Sequence, residues 1–275
     1  MQAAPLHTGD VPALRKGLAV LELLASDGPL TLAEIQRRGA LNKTMTFRLI
    51  RVLRETGYVR HELESHRYSL ALKLFNLGGA VAARLDIVRV GQSILDRLRG
   101  EFGETVNLGV MGEGHVVYVA MAECSRPGLR MASRVGGHGC LHSTSIGKAI
   151  LAFLPEPDRE ALLANLAWTA VTPKTITSLH DLRDELERTR LRGYATDNEE
   201  NEIGARCVGV PILDGAGLPL AAISVSGPMA RIDDDALAAM SERLWEASRE
   251  ISSRLGYDIV TTTGVSPQPR RIGGG

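Results

Sequence analysis

Residues 31–60 read TLAEIQRRGALNKTMTFRLIRVLRETGYVR, and the order of signals in this stretch sets the architecture of the amino-terminal part of the chain. Thr31 followed by Glu34 is a capping box, in which the threonine hydroxyl caps a helix and the glutamate reaches back. The helix it opens is short, Leu32 to Arg38, and Gly39 is placed to end it in a left-handed cap. After the turn Ala40-Leu41-Asn42, Asn42 is a good N-cap for a second helix. That helix carries an apolar stripe of Met45, Leu49, Ile50 and Leu53, and Gly57 closes it. Two strand-like runs follow, Tyr58 to Glu62 and Arg67 to Leu70, joined by Leu63-Glu-Ser-His66.

Moving outward, Leu14, Leu18, Leu21, Leu24 and Ala25 recur at helical spacing before the break Gly28-Pro29. Helix, short helix, turn, longer helix and hairpin is the order of a winged helix-turn-helix, whose helix after the turn enters the DNA major groove. Here that helix presents Lys43, Thr44, Thr46, Phe47, Arg48, Arg51 and Arg54 outside its apolar stripe. Arginine can grip guanine with two hydrogen bonds, and threonine can reach phosphate or a base edge. Thr31 at the start of the preceding helix, with Arg60, His61, His66 and Arg67 on or beside the wing, completes the expected DNA-facing set. A basic helix alone is a weak signal, because a solvated helix of some other domain looks the same. The ordered series is the stronger one.

Composition agrees. The chain has 275 residues, 44% hydrophobic and 23% charged, which suits two soluble globular domains. Aromatics are scarce, so the core rests on Leu, Val, Ile and Ala. Formal net charge is zero, yet residues 11–75 hold eleven Lys and Arg against six acids, +5, which leaves −5 for the remainder. A basic end on an acidic protein hints at a polyanion partner, although charge alone fits an unevenly charged solvated surface equally well. Three widely spaced cysteines with no CxxC pair argue against a disulfide framework or a zinc site. No signal-peptide core and no membrane-length apolar run occurs, so a cytoplasmic protein without a membrane partner is expected.

The expected boundaries are a disordered tail at 1–10, the winged helix-turn-helix at 11–71, a linker helix at 72–86, a larger domain at 87–258 and a disordered tail at 259–275. In the larger domain a helix near 87–102 precedes strands at 105–111, 116–121 and 129–135. Helices follow near 144–153, 156–166 and 179–192. Strands near 206–213 and 218–226 flank Asp214-Gly-Ala-Gly217, a hairpin signal, and a helix runs from 233 to 255. The fold class is α+β.

At this point the chain resembles the IclR (isocitrate lyase regulator) family of transcriptional regulators. The resemblance runs from about Val11 to Tyr257. It is carried by the 31–60 stretch with RYSLALKLFNLG, then LHSTSIGKAILAFL, GYATDNEENEIGARCVGVPI and AAISVSGP, in that order and spacing. Within the family, YSLALKLFNLG, RMASRVG, TITS and GYATDNEE are most similar to the 2-keto-3-deoxygluconate-responsive repressors. One departure is Ala-Leu-Asn-Lys-Thr-Met at 40–45, where a Gly-Leu-Pro-Lys-Ser-Thr pattern is more usual.

The resemblance implies a GAF/PAS-like effector domain with a buried pocket. Carried over residue by residue, it gives the backbone of Ser145 and Ile146 at a helix N-terminus as a carboxylate site. It also gives Asp197, Cys207, and the hydroxyls of Ser224 and Ser226, which are two apart on a strand and share a face. His142 reads as a pocket-orienting or simply structural histidine, and Glu199, Glu200 and Glu202 as a solvated acidic loop, with a place on the pocket rim as the alternative. The implied function is a regulator, a repressor in expectation, of a catabolic operon that senses a small organic acid such as a 2-keto sugar acid. An aromatic-acid sensor or an activator of the same family is the alternative, and a hydrolytic enzyme a distant one. Gly147-Lys148 fails as a phosphate loop, because His142 and Ala149 occupy the positions that need Gly and Ser/Thr. The partners implied are a pseudo-palindromic double-stranded DNA operator, the effector and a second copy of the chain, with a dimer of dimers in reach. No cofactor and no metal is expected.

Overall fold

The computed structural model describes residues 11–82, 86–124, 126 and 131–257, with only the backbone for 79–82. The two expected tails therefore lie outside the described residues. The chain divides into two compact units, one up to residue 84 and one from residue 85.

In the first unit, helix α1 (Pro12–Asp27) leads into the two-residue strand β1 (Leu30–Thr31), α2 (Leu32–Arg38) and α3 (Lys43–Glu55). Strands β2 (Val59–Glu62) and β3 (Arg67–Leu70) follow, then α4 (Leu72–Ala82). The capping box forms: the Glu34 amide donates to Thr31 Oγ1 at 3.3 Å, and the Thr31 amide donates to Glu34 Oε2 at 2.8 Å. Asn42 Oδ1 accepts from the Met45 amide at 2.9 Å and starts α3. The wing gains a strand that the sequence did not betray. β1 adds to β3 antiparallel, with Leu30 opposite Tyr68, giving the order β1-β3-β2. Two residues are too few to show alternation. The left-handed turn expected at Gly39 sits one residue later, at Ala40 with φ 49°, while Gly39 keeps φ −78°. A small core of Val20, Leu24, Leu30, Ile35, Ile50 and Val59 unites the elements.

The expected linker helix over 72–86 is α4 as far as Ala82, and a separate helix, α5 (Asp86–Phe102), opens the second unit. Residues 83–85 lie outside the described residues. Next come β4 (Thr105–Met111), β5 (His115–Ala122), β6 (His138–Cys140), α6 (Ser145–Phe153), α7 (Glu156–Ala164) and α8 (Leu179–Arg192). The chain then forms β7 (Ala195–Asn198), β8 (Ala205–Leu213), β9 (Pro219–Pro228) and α9 (Asp234–Arg254). The strands make one antiparallel sheet in the order β6-β5-β4-β9-β8-β7. One face packs on α5 and α9 through Leu95, Leu108, Val210, Ile223, Leu244 and Ile251. The other packs on α6 and α8 through Val116, Ile146, Ile150, Leu182 and Ala222.

Of the strand expected over 129–135, the described part, 131–135, is not a strand. Residues 129 and 130 lie outside the described residues, and 131–135 take no ladder position. Side chains hold this segment instead. The Ala132 amide donates to Glu202 Oε2 at 3.0 Å, and Ser133 Oγ donates to Asn107 Oδ1 at 3.1 Å. A turn at Arg134–Gly137, with φ 79° at Gly136, then feeds the edge strand β6.

Candidate functional site

Two places gather the residues singled out from the sequence. The first is the outer face of α3. Lys43, Thr44, Phe47, Arg48 and Arg51 are all exposed, and with Leu32 and Val52 they line one groove. Arg51 also pairs loosely with Glu55, at 3.5 Å. Thr46 must be removed from the DNA-facing set. It is fully buried, and its hydroxyl donates to the Asn42 carbonyl at 3.0 Å. The helical period explains this, since Thr46 lies four residues before Ile50, the most buried apolar residue of α3.

Thr31 and Arg67 are tied into the fold. The Thr31 hydroxyl serves the capping box, and Arg67 Nη1 donates to the Pro29 carbonyl at 2.7 Å and approaches Glu34 Oε2 at 3.3 Å. Arg60 on the wing is exposed and donates through Nε to Ser69 Oγ at 2.8 Å.

The second place is a cavity of about 70 Å3 in the second unit, on the sheet face that packs on α6. Ser145, Ile146, Asp197, Cys207, Ser224 and Ser226 all line it. Register produces the convergence. Ser226 lies opposite Cys207 and Cys207 opposite Asp197, while the neighbouring row sets Asn107 opposite Ser224 and Ser224 opposite Gly209. Side chains two apart on each strand share the face, so four strands supply one polar floor. Ile223 and Val225 point the other way into the α5–α9 core. Asn107 Nδ2 donates to Ser226 Oγ at 3.2 Å within this floor.

Helix α6 ends on the same floor. The Thr144 hydroxyl accepts from the Gly147 amide at 3.0 Å, so the amides of Ser145 and Ile146 are the first donors of the helix, at its positive end. Glycines allow the approach. A Cβ on Gly209 would stand 3.0 Å from the Ser145 carbonyl, and one on Gly147 would stand 2.4 Å from the Leu141 carbonyl oxygen. The start of α6 therefore rests backbone against backbone, on β8 below and on residue 141 beside it.

The acidic loop after β7 is only partly solvated: Glu200 is buried, Glu199 and Glu202 are half-buried, and Glu202 joins the cavity lining. Asp197 is buried, and its Oδ1 accepts from the amides of Glu200 at 2.8 Å and Asn201 at 3.2 Å. Burial, reinforced by the nearby Glu200 carboxylate, pushes the Asp197 carboxyl up to about 7. Glu200 is buried too, and it accepts from Lys148 Nζ at 2.5 Å. Its own titration is raised by burial, with Lys148 opposing. Glu199 holds φ 62°, pairs with Lys174 and accepts from the Gly204 amide at 2.8 Å. Thr175 Oγ1 donates to the Glu200 carbonyl at 2.6 Å and fixes the loop from below. Burial also raises the Cys207 thiol, with Asp197 adding to the effect.

Lys148 is the residue that sequence reasoning missed. It is fully buried on α6, so a single helix carries both the amides at the cavity and the cation that anchors the loop whose amides bind Asp197. His142 is buried as well. Its Nε2 meets the Thr169 carbonyl at 3.1 Å, its ring tilts against Trp168, and burial lowers its titration so that it stays neutral. It belongs to the packing behind α6 and is absent from the cavity lining.

Comparison with known proteins now places the molecule. The family model for the IclR helix-turn-helix domain matches residues 13–63, and the model for the C-terminal part of bacterial IclR transcriptional regulators matches residues 79–253. The chain belongs to the IclR family of transcriptional regulators. It is 34% identical over 247 residues to the HTH-type transcriptional regulator KdgR of Escherichia coli K12, covering 90% of this chain and 94% of that one. It is 32% identical over 252 residues to the transcriptional repressor IclR of the same organism, covering 90% and 92%. Among solved structures, the IclR of Thermotoga maritima matches with a TM-score of 0.74 and 36% identity, over 89% of this chain and 98% of that one. The IclR family comprises DNA-binding transcriptional regulators and not enzymes, and this chain is one of them. No helix among the described residues is long and apolar enough to cross a membrane.

Proposed function

We propose that this IclR-family regulator represses a catabolic operon and leaves its operator when a small, hydroxyl-rich organic acid of the 2-keto sugar acid class binds in the cavity at the start of α6. The observation that carries this reading is the chemistry of that cavity. Helix-terminal amides at Ser145 and Ile146 suit a carboxylate, and the lining side chains of Asp197, Asn201, Ser224 and Ser226 suit hydroxyl groups. Tyr118 is the one aromatic ring beside His138 in the lining, which favours a polyol over a benzoate. The DNA contacts are assigned to Lys43, Thr44, Phe47, Arg48 and Arg51 of α3, with Arg60 on the wing reaching the backbone. The exposed Leu72, Phe75 and Leu77 of α4 are the surface a second copy covers, so that a two-fold dimer reads a pseudo-palindrome.

The test is a thermal-shift and operator-binding titration of the full chain with 2-keto-3-deoxygluconate, glyoxylate and 4-hydroxybenzoate. The sugar acid is expected to raise the melting temperature and to weaken operator binding, because effector and operator are linked reciprocally. The Ser224→Ala/Ser226→Ala variant should keep operator binding and lose the response. A shift with the aromatic acid alone reassigns the effector class. No shift with any organic acid rejects the cavity as the sensor.

A further inference from the structure

Phe47 is oddly placed for a core-forming residue. It is the fifth residue of α3 and is 56% exposed, although aromatic rings usually bury most of their surface. Its surroundings are mixed. Lys43 lies one turn before it and Arg51 one turn after it on the same column of the helix, with Thr44 and Arg48 in the next column. Leu32 of α2 and Val52, itself 51% exposed, complete the groove.

An apolar protein partner would have to bury three cations together with the ring, which is costly. Duplex DNA does not ask for this. It takes the cations at phosphate, and the first turns of the helix reach base edges. The base edges of the major groove offer hydrogen-bond donors, acceptors and one apolar group, the C5 methyl of thymine.

We propose that Phe47 is a specificity-determining residue whose exposed ring packs on the C5 methyl of a thymine in the operator, while Lys43, Arg48 and Arg51 around it hold the neighbouring polar edges and phosphates. This assignment rests on the role given to α3 above. It makes α3 a reader of shape and methylation at one position, in addition to a reader of hydrogen bonds.

The experiment uses the full-length protein and an operator selected from random duplexes. Each thymine is replaced singly by deoxyuridine, which removes the methyl group and keeps the hydrogen-bonding edge. One or more positions should lose about fourfold in affinity, the loss for one buried methyl group. In Phe47→Ala the same replacement should change affinity by less than about 1.5-fold, and in Phe47→Leu a partial loss should remain, scaling with the apolar surface left. The ring is exposed, so both variants should melt with the wild type. Measurement at reduced salt keeps the weaker alanine complex observable, since phosphate contacts strengthen all complexes alike. The proposal is overturned if no thymine is methyl-sensitive, or if the sensitivity survives undiminished in Phe47→Ala. A wild-type protein that selects no sequence at all overturns the DNA-reading role of α3 instead, and this assignment with it.

Discussion

The two units handle charge in opposite ways. In the first, cations stand on the outside. Lys43, Arg48 and Arg51 are exposed along α3, and the ion pairs Arg38–Asp27 and Arg51–Glu55 are open to solvent. The second also has exposed pairs such as Arg243–Glu101, but it takes part of its charge inside. Lys148 is fully buried against Glu200, Asp197 is buried beside them, and the nearly inaccessible Glu104 is gripped by Arg231 at 2.5 and 2.8 Å. Exposed pairs add little to stability and leave the cations free to meet a polyanion. Buried pairs add little net stability either, but they fix geometry, because breaking one leaves an uncompensated charge. The first unit therefore leaves cations accessible on α3, and the second fixes ionic groups around its cavity.

Replacing Lys148 with Met should break the second arrangement most severely. Glu200 would lose its cation in the interior, at about 3–5 kcal/mol. Both tryptophans, Trp168 and Trp245, lie in the second unit, so their fluorescence in urea follows that unit alone. Lys148→Met/Glu200→Gln should recover most of the loss. A double variant that unfolds as easily as the single one would show that the pair is not what sets the stability.

A smaller effect sharpens the same contrast through pH. Asp197 titrates near 7 in the folded chain and near 3.8 when unfolded. Between those values the folded state holds a proton that the unfolded state has released, so stability should fall as pH rises from about 4 to 7. For one proton the slope is at most about 1.4 kcal/mol per pH unit. Asp197→Asn should flatten it in fluorescence-detected melts. Equal slopes in the two proteins would assign the titration to another group.

The smallest expected change lies in the first unit. Thr31→Ala removes the cap of α2 and should cost about 1 kcal/mol, read as faster hydrogen exchange of the Glu34 amide, while the tryptophan transition stays where it was. A shift of that transition would show that the two units do not unfold independently.

The winged helix was readable because caps and short apolar periods are local signals. Thr31 with Glu34, and Asn42 three residues before Met45, need no distant partner to be recognised. Thr46 offers a hydroxyl that suits DNA, yet its four-residue spacing from Ile50 places it on the buried side of α3. The six cavity residues came from resemblance and strand alternation, and register is what assembles them. The run 129–135 looked like a strand from composition, yet its described part bonds to side chains of Glu202 and Asn107 that lie far away in sequence. Lys148 carried a usable sign, a lone charge in the otherwise apolar stretch Ile146–Leu154, which only a buried partner could satisfy. Its partner, 52 residues away, was invisible without the fold.

The seating of α6 on Gly209 and beside residue 141 has a consequence for anyone who wishes to retune this regulator as a biosensor. The mount is main chain against main chain, so it makes no demand on the side chains of the floor. Cys207, Ser224 and Ser226 line the cavity from strands whose opposite faces hold the α5–α9 core. If the cavity is the sensor proposed above, a library confined to those three positions should vary the molecule that is sensed while the amides of Ser145 and Ile146 stay in place.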